Sequence, residues 1–174
     1  GASQYTGVHA DLYTFGKIVG GGMPLAAYGG RRDIMSCVSP LGAVYQAGTL
    51  SGNPAAVAAG IETLKILMED TGIYERIDRR AQTLAEAFQK IGLTVNRAGS
   101  LLCAFFTPGF GVLEGRVENY EEACRCDTKA FARYFNRMLE QGIYVAPSQF
   151  EAMLIEMTCE AVSASFITNN RQAL

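Results

Sequence analysis

Thr14-Phe15-Gly16-Lys17-Ile18-Val19-Gly20-Gly21-Gly22-Met23-Pro24 carries a single lysine out of an apolar approach and into a glycine-rich turn. Asp11 to Phe15 has the aromatic and β-branched content of a short buried strand, and Gly16 ends it without a side chain that could block a ligand. An amine at a strand end can attack a carbonyl carbon once it is neutral, a form favoured by desolvation or nearby positive charge. Gly20-Gly21-Gly22 lets the backbone take positive φ and pass close to a flat ligand or a neighbouring chain, and Pro24 fixes the exit. The competing reading is a solvated loop lysine. Nucleotide loops do not fit: the phosphate-cradling pattern needs Gly where Asp11 stands and Ser or Thr where Ile18 stands. The contiguous glycines also lack the spacing of a dinucleotide fingerprint.

Downstream, Tyr45-Gln46-Ala47-Gly48-Thr49-Leu50-Ser51-Gly52-Asn53-Pro54 is the second unusual stretch. Asn53 reads as an N-cap and Pro54 as the first position of a helix running through Ala55 to about Met68. A loop of small residues with two hydroxyls before a helix start suits a phosphate, or is only a capped helix and a tight turn.

Together these stretches resemble the class III, fold type I aminotransferases that use pyridoxal 5′-phosphate, and among them the branch of aminomutases acting on glutamate 1-semialdehyde. The resemblance rests on Asp11-Leu12 with Thr14, Gly16-Lys17-Ile18, Gly20 to Pro24, Tyr28-Gly29-Gly30-Arg31-Arg32, Tyr45 to Pro54, and Ala146-Pro147-Ser148-Gln149-Phe150-Glu151-Ala152. It covers about residues 1 to 152. It implies that Lys17 is the Schiff-base lysine and proton shuttle, and that Gly48 and Thr49 bind cofactor phosphate across a homodimer interface. Glu151 becomes a substrate-binding carboxylate at the mouth of the site. The implied reaction is an intramolecular amine exchange giving 5-aminolevulinate, the tetrapyrrole precursor. Two alternatives stand beside it: a class III aminotransferase acting between two substrates, and a non-catalytic fragment that pairs with a full-length subunit.

The implied architecture is α/β: the C-terminal part of a fold type I large domain over residues 1–92, followed by a smaller C-terminal α/β domain over 93–174. On this reading the family's acid beneath the pyridine nitrogen lies upstream of Gly1, and the chain is the C-terminal portion of an enzyme. After Ala152 the run Met153-Leu154-Ile155-Glu156-Met157-Thr158-Cys159 departs from the glycine and histidine expected of the family.

The rest of the chain agrees with this placement. At 174 residues, 49% hydrophobic and 18% charged with a formal net charge of −2, it is an ordinary globular sequence able to form a core. Leu25 to Tyr28 suggests an edge strand, Arg31 to Met35 a short helix, and the largely small or apolar helix after Pro54 is expected to be well buried. A helix from about Tyr74 to Ile91 sets Ile77, Ala81, Leu84, Phe88 and Ile91 on one face and ends at Gly92. Leu101 to Phe106 reads as a strand and Pro108 to Gly115 as a turn-rich connection. Asp127 caps a helix with a stripe of Phe131, Tyr134, Phe135, Met138 and Leu139, ending at Gly142. Ile143-Tyr144-Val145 reads as a strand and about Glu160 to Gln172 as a last helix.

Other chemistries find little support. Cys37, Cys103, Cys124, Cys126 and Cys159 contain no C-x-x-C pair, and His9 is the only histidine, so neither a zinc centre nor a Ser-His-Asp hydrolase is expected. No basic patch points to nucleic acid, and no apolar span of about 18 residues points to a membrane. Reduced cysteines favour cytoplasm, or plastid stroma if a transit peptide once preceded the chain.

Overall fold

The computed structural model describes residues 1–107 and 116–155. The expected turn over Pro108 to Gly115, the run from Glu156 to Cys159 and the helix expected from Glu160 to Gln172 lie outside them. The described chain is mixed α/β, as the sequence predicts, and forms two compact units that divide between Thr71 and Gly72.

In the first unit a short helix α1 (Ala2–Thr6) precedes strand β1 (Leu12–Phe15), which pairs antiparallel with β2 (Ala27–Gly30) in the register Leu12 to Gly30 and Phe15 to Ala27. The expected edge strand therefore lies two residues later than Leu25. Glycine is required at 30 because a Cβ there would collide with the Asp11 carbonyl. Just past that close approach, Arg31 donates to Asp11 at 2.9 Å and to both oxygens of Asp33 at 2.7 and 3.1 Å. The short helix α2 (Arg32–Met35) leads to a loop and then to α3 (Pro54–Glu69). Asn53 caps α3 by accepting from the Ala55 and Ala56 amides at 3.1 Å each, with Pro54 at the first turn, as its residue types predict.

Two expectations about burial change. Strand β1 is not buried: Leu12 and Phe15 are about half exposed. Within α3 only Ala56 and Gly60 are buried, while Ile61, Leu64, Ile66 and Met68 are exposed. The small face of α3 is the covered one, because only small residues allow the backbone of the lysine turn to approach.

In the second unit α4 (Ile73–Lys90) precedes an antiparallel sheet ordered β3 (Thr94–Ala98), β4 (Leu101–Phe105), β5 (Met153–Leu154). Helix α4 buries Ala81, Leu84 and Phe88, the face its spacing predicts, with Ile91 buried just beyond, and Gly92 follows at φ 92°. Strand β4 alternates as a sheet facing two layers must. Leu102 and Ala104, followed by Phe106, enter the main core with α4 and with α6 (Thr128–Glu140), whereas Cys103 and Phe105 turn to Val117, Ala123 and Cys126 beside α5 (Tyr120–Cys124). Phe88, Phe106, Phe131 and Tyr134 interlock at centroid distances of 5.6 to 6.1 Å, so Phe131 and Tyr134 of α6 belong to the core, whereas Phe135 packs on the exposed Tyr144 and Leu139, expected on the same stripe, is exposed. Because α4 shares this core, it belongs with the second compact unit, which begins at Gly72. Ile143 to Val145 forms no strand; the third strand is Met153–Leu154, paired to Leu101 and Leu102. No helix among the described residues is long and apolar enough to cross a membrane.

Candidate active site

Lys17 follows Gly16, whose backbone is extended, and opens a 3-10 turn over Lys17–Gly20. Its φ is 52°, and among the described residues it is the one non-glycine residue with positive φ. That conformation costs an L-residue on the order of 1–2 kcal/mol. Strain of this kind persists where the surroundings over-determine it, and it gathers at functional sites. The side chain is exposed and makes no hydrogen bond or ion pair with the described residues, so no described group occupies its amine.

What fixes the turn is its seat on α3. Gly21, at φ 58°, lies so close to α3 that a Cβ would come 2.5 Å from Thr63 Oγ1 and 3.2 Å from the Ala59 carbonyl. From the helix side, a Cβ on Gly60 would come 2.9 Å from the Val19 carbonyl and would strike the Leu25 side chain. Gly22, at φ 89°, faces open space. The three glycines thus divide their work: two fit the turn against Leu25 and α3, and the third supplies a backbone bend. From sequence the glycines suggest close approach to a flat ligand or a neighbouring chain; the structure adds the packing of their turn on α3, a contact between distant segments.

Gly48 and Thr49 sit in an exposed turn just ahead of the α3 N-terminus. Ser51 donates its amide to the Gly48 carbonyl at 2.9 Å and Asn53 donates to the Leu50 carbonyl at 3.1 Å. A Cβ on Gly48 would come 3.0 Å from Ser51 Oγ, so the turn is tight and carries hydroxyls at 49 and 51. The lysine turn and this turn are attached to one helix, the first at Gly60 and the second before its cap at Asn53, about 10 Å apart along the axis at 1.5 Å per residue. No hydrogen bond among the described residues joins Lys17 to Gly48 or Thr49.

Glu151 belongs to the second unit. It ends a turn in which Ser148 accepts from the Phe150 amide through Oγ at 3.2 Å and from the Glu151 amide through its carbonyl at 3.1 Å. Between them Gln149 is buried and donates Nε2 to the Ala123 carbonyl at 3.4 Å. The carboxylate is exposed. Burial pushes the thiol pKa of Cys103 up, and the charge of Glu151 adds to the shift, which keeps that sulfur protonated and inert.

The donor chemistry fits pyridoxal phosphate: a free primary amine for an aldehyde, and a tight glycine turn with hydroxyls ahead of a helix N-terminus for a phosphate.

The chain matches the family model of the class-III aminotransferases over residues 1–158. It is 58% identical over 156 residues to a glutamate-1-semialdehyde 2,1-aminomutase of Acetivibrio thermocellus, a match covering 89% of this chain and 35% of that relative. It is 55% identical over 159 residues to the protein of the same name from Chlorobium phaeovibrioides, covering 88% and 35%. Among solved structures it is similar to a β-phenylalanine aminotransferase from Variovorax paradoxus, with TM-score 0.74 and 27% identity over 98% of this chain and 39% of that one. It is also similar to a transaminase with PLP bound, with TM-score 0.72 and 25% identity over 99% and 39%. The chain spans about a third of the length of the curated relatives it matches.

Proposed function

The chain belongs to the class-III aminotransferase family, and from that membership we propose that it supplies the lysine-bearing part of a pyridoxal 5′-phosphate enzyme that converts glutamate 1-semialdehyde to 5-aminolevulinate. The observation that carries the reading is Lys17, held at positive φ in a turn seated on α3 with its amine unpaired among the described residues. The preference for an aminomutase over a transaminase between two substrates is supported by the 48–58% identity to relatives named glutamate-1-semialdehyde 2,1-aminomutase.

Pyridoxal 5′-phosphate, when bound, supplies an electron sink for a carbanion beside nitrogen. Everything else falls to the protein. Lys17 would hold the cofactor at Nζ and, once displaced, would move a proton at the same atom between the substrate carbon and the cofactor's aldehyde carbon. The positive φ and the seat of the turn on α3 fix the direction in which the Lys17 side chain leaves the backbone, the first part of the positioning such a shuttle needs. Gly48 and Thr49 offer backbone N–H groups and a hydroxyl to a phosphate, across the interface of a homodimer. Glu151 offers its carboxylate to the substrate amine. The setting proposed is the cytoplasm or a plastid stroma, within tetrapyrrole and porphyrin synthesis.

The test is an assay of the full-length protein containing this segment. Conversion of glutamate 1-semialdehyde to 5-aminolevulinate is expected, and Lys17→Ala should lower kcat by at least about 10²-fold, the lower bound for losing a positioned general base. Release of a keto acid that requires an added amino donor would move the protein to the transaminase reading.

A further inference from the structure

Two buried polar atoms in the second unit have no partner among the described residues: the hydroxyl of Tyr134 on α6 and Oε1 of Gln149 in the turn before Glu151. Tyr134 is 6% exposed and Gln149 is 3% exposed. Both line the same small cavity, walled by Ala104, Phe131, Val145 and Met153, with Ser148 and Glu151 at its rim. Its volume is about 10 Å³, close to the roughly 10–15 Å³ that one water occupies on this measure. One atom is a donor and the other an acceptor. Burial pushes the Tyr134 pKa up, so its proton stays in place at any working pH.

We propose that Tyr134 and Gln149 share one buried water, and that through it they are positioning residues for Glu151. Two unpaired polar groups on residues that line one cavity of this size are costly if dry, and a single molecule that accepts from Tyr134 and donates to Gln149 satisfies both. The other end of the Gln149 amide already reaches the Ala123 carbonyl. The water therefore closes a path from α6 through Gln149 to Ala123 of α5 and pins the Ser148–Glu151 turn to the core. The functional meaning of that docking rests on the reading of Glu151 as a substrate-facing carboxylate, but the water site and the docking do not.

The experiment uses the 174-residue chain with Tyr134→Phe, Gln149→Met and the double variant, which replaces both polar partners with apolar groups. NMR detects a long-lived water beside the Gln149 side-chain amide, and hydrogen exchange is followed at the Phe150 and Glu151 amides and, as a reference for global stability, at the β4 amides. Expected results are loss of the water signal in Tyr134→Phe, exchange at Phe150 and Glu151 raised about tenfold over β4 in that variant and further in Gln149→Met, which also loses the bond to Ala123, and no rise in the double beyond Gln149→Met, because the pair acts as a unit. The proposal is overturned by a water signal that survives Tyr134→Phe, by equal acceleration at β4, by effects that multiply, or by turn amides that do not respond. None of these depends on aminomutase activity, so failure here and failure of the functional reading are separate outcomes.

Discussion

At the scale of single residues, Lys17 and Gly60 explain each other. A strained lysine holds its conformation only if something rigid opposes relaxation, and the turn that follows it is wedged between Leu25 and the small face of α3. Gly60→Ala measures that wedge. Replacing a helical glycine by alanine normally stabilises by about 1 kcal/mol. Here the new Cβ meets the Val19 carbonyl at 2.9 Å as well as the Leu25 side chain. Leu25 can rotate away, but the carbonyl cannot, and overpacking of this sort costs about 1–3 kcal/mol. The expected outcome is a lower denaturant midpoint in Gly60→Ala; a higher one would mean that the turn yields and that α3 does not hold Lys17. The lysine and its glycines were legible in the sequence, but the partner that restrains them was not. A packing contact between Gly21 and Thr63 leaves no local pattern, since it depends on where two distant segments meet.

At the scale of elements, caps and periodicity read well and sheet membership did not. Asn53-Pro54 and Asp127 sit where their side chains satisfy first-turn amides, a local interaction that sequence records directly. The α4 face was equally legible from its spacing. Strand β3 was missed because Thr94-Val95-Asn96-Arg97 is polar on an edge, with Asn96 bonded to the Val117 backbone at 2.6 and 3.2 Å and Arg97 to Asp78 at 2.7 Å. Ile143 to Val145 has strand composition, yet the place beside β4 is taken by Met153–Leu154. The helix cap also carries a pH dependence. The Ala130 amide above all holds the Asp127 carboxyl below its ordinary range; desolvation opposes it, and the Lys129 amide and the charges of Arg133 and Lys129 add smaller lowering effects. A carboxyl lowered by folding stabilises the fold above its unfolded pKa and loses that contribution as pH falls through the lowered value. Asp127→Ala should therefore be less stable than the parent at about pH 6, with the deficit shrinking below about pH 4. A deficit in denaturant midpoint that does not change with pH would show that the charge of Asp127 contributes nothing.

At the scale of the whole molecule, the two units differ in how they bury themselves. The second has a continuous core from α4 through β4 to α6. The first leaves Leu12, Phe15, Ile18, Leu41, Val44, Ile61, Leu64 and Met68 substantially exposed, and the chain spans about a third of its relatives' length. This is why burial in β1 and α3 could not be inferred from their apolar composition: composition records what a segment can bury against, and a lone segment does not name the cover. The α/β class and the family were legible because the lysine turn, the Gly48 turn and the Ser148–Glu151 turn are local motifs. The central claim is that Lys17 is the amine that carries the cofactor, and its most direct test is site mapping. The chain is incubated with pyridoxal 5′-phosphate, reduced with borohydride and digested, and the modified lysine is located by mass spectrometry. The account predicts that the label falls on Lys17 and vanishes with Lys17→Ala; a label spread evenly over Lys17, Lys65, Lys90 and Lys129 would contradict it.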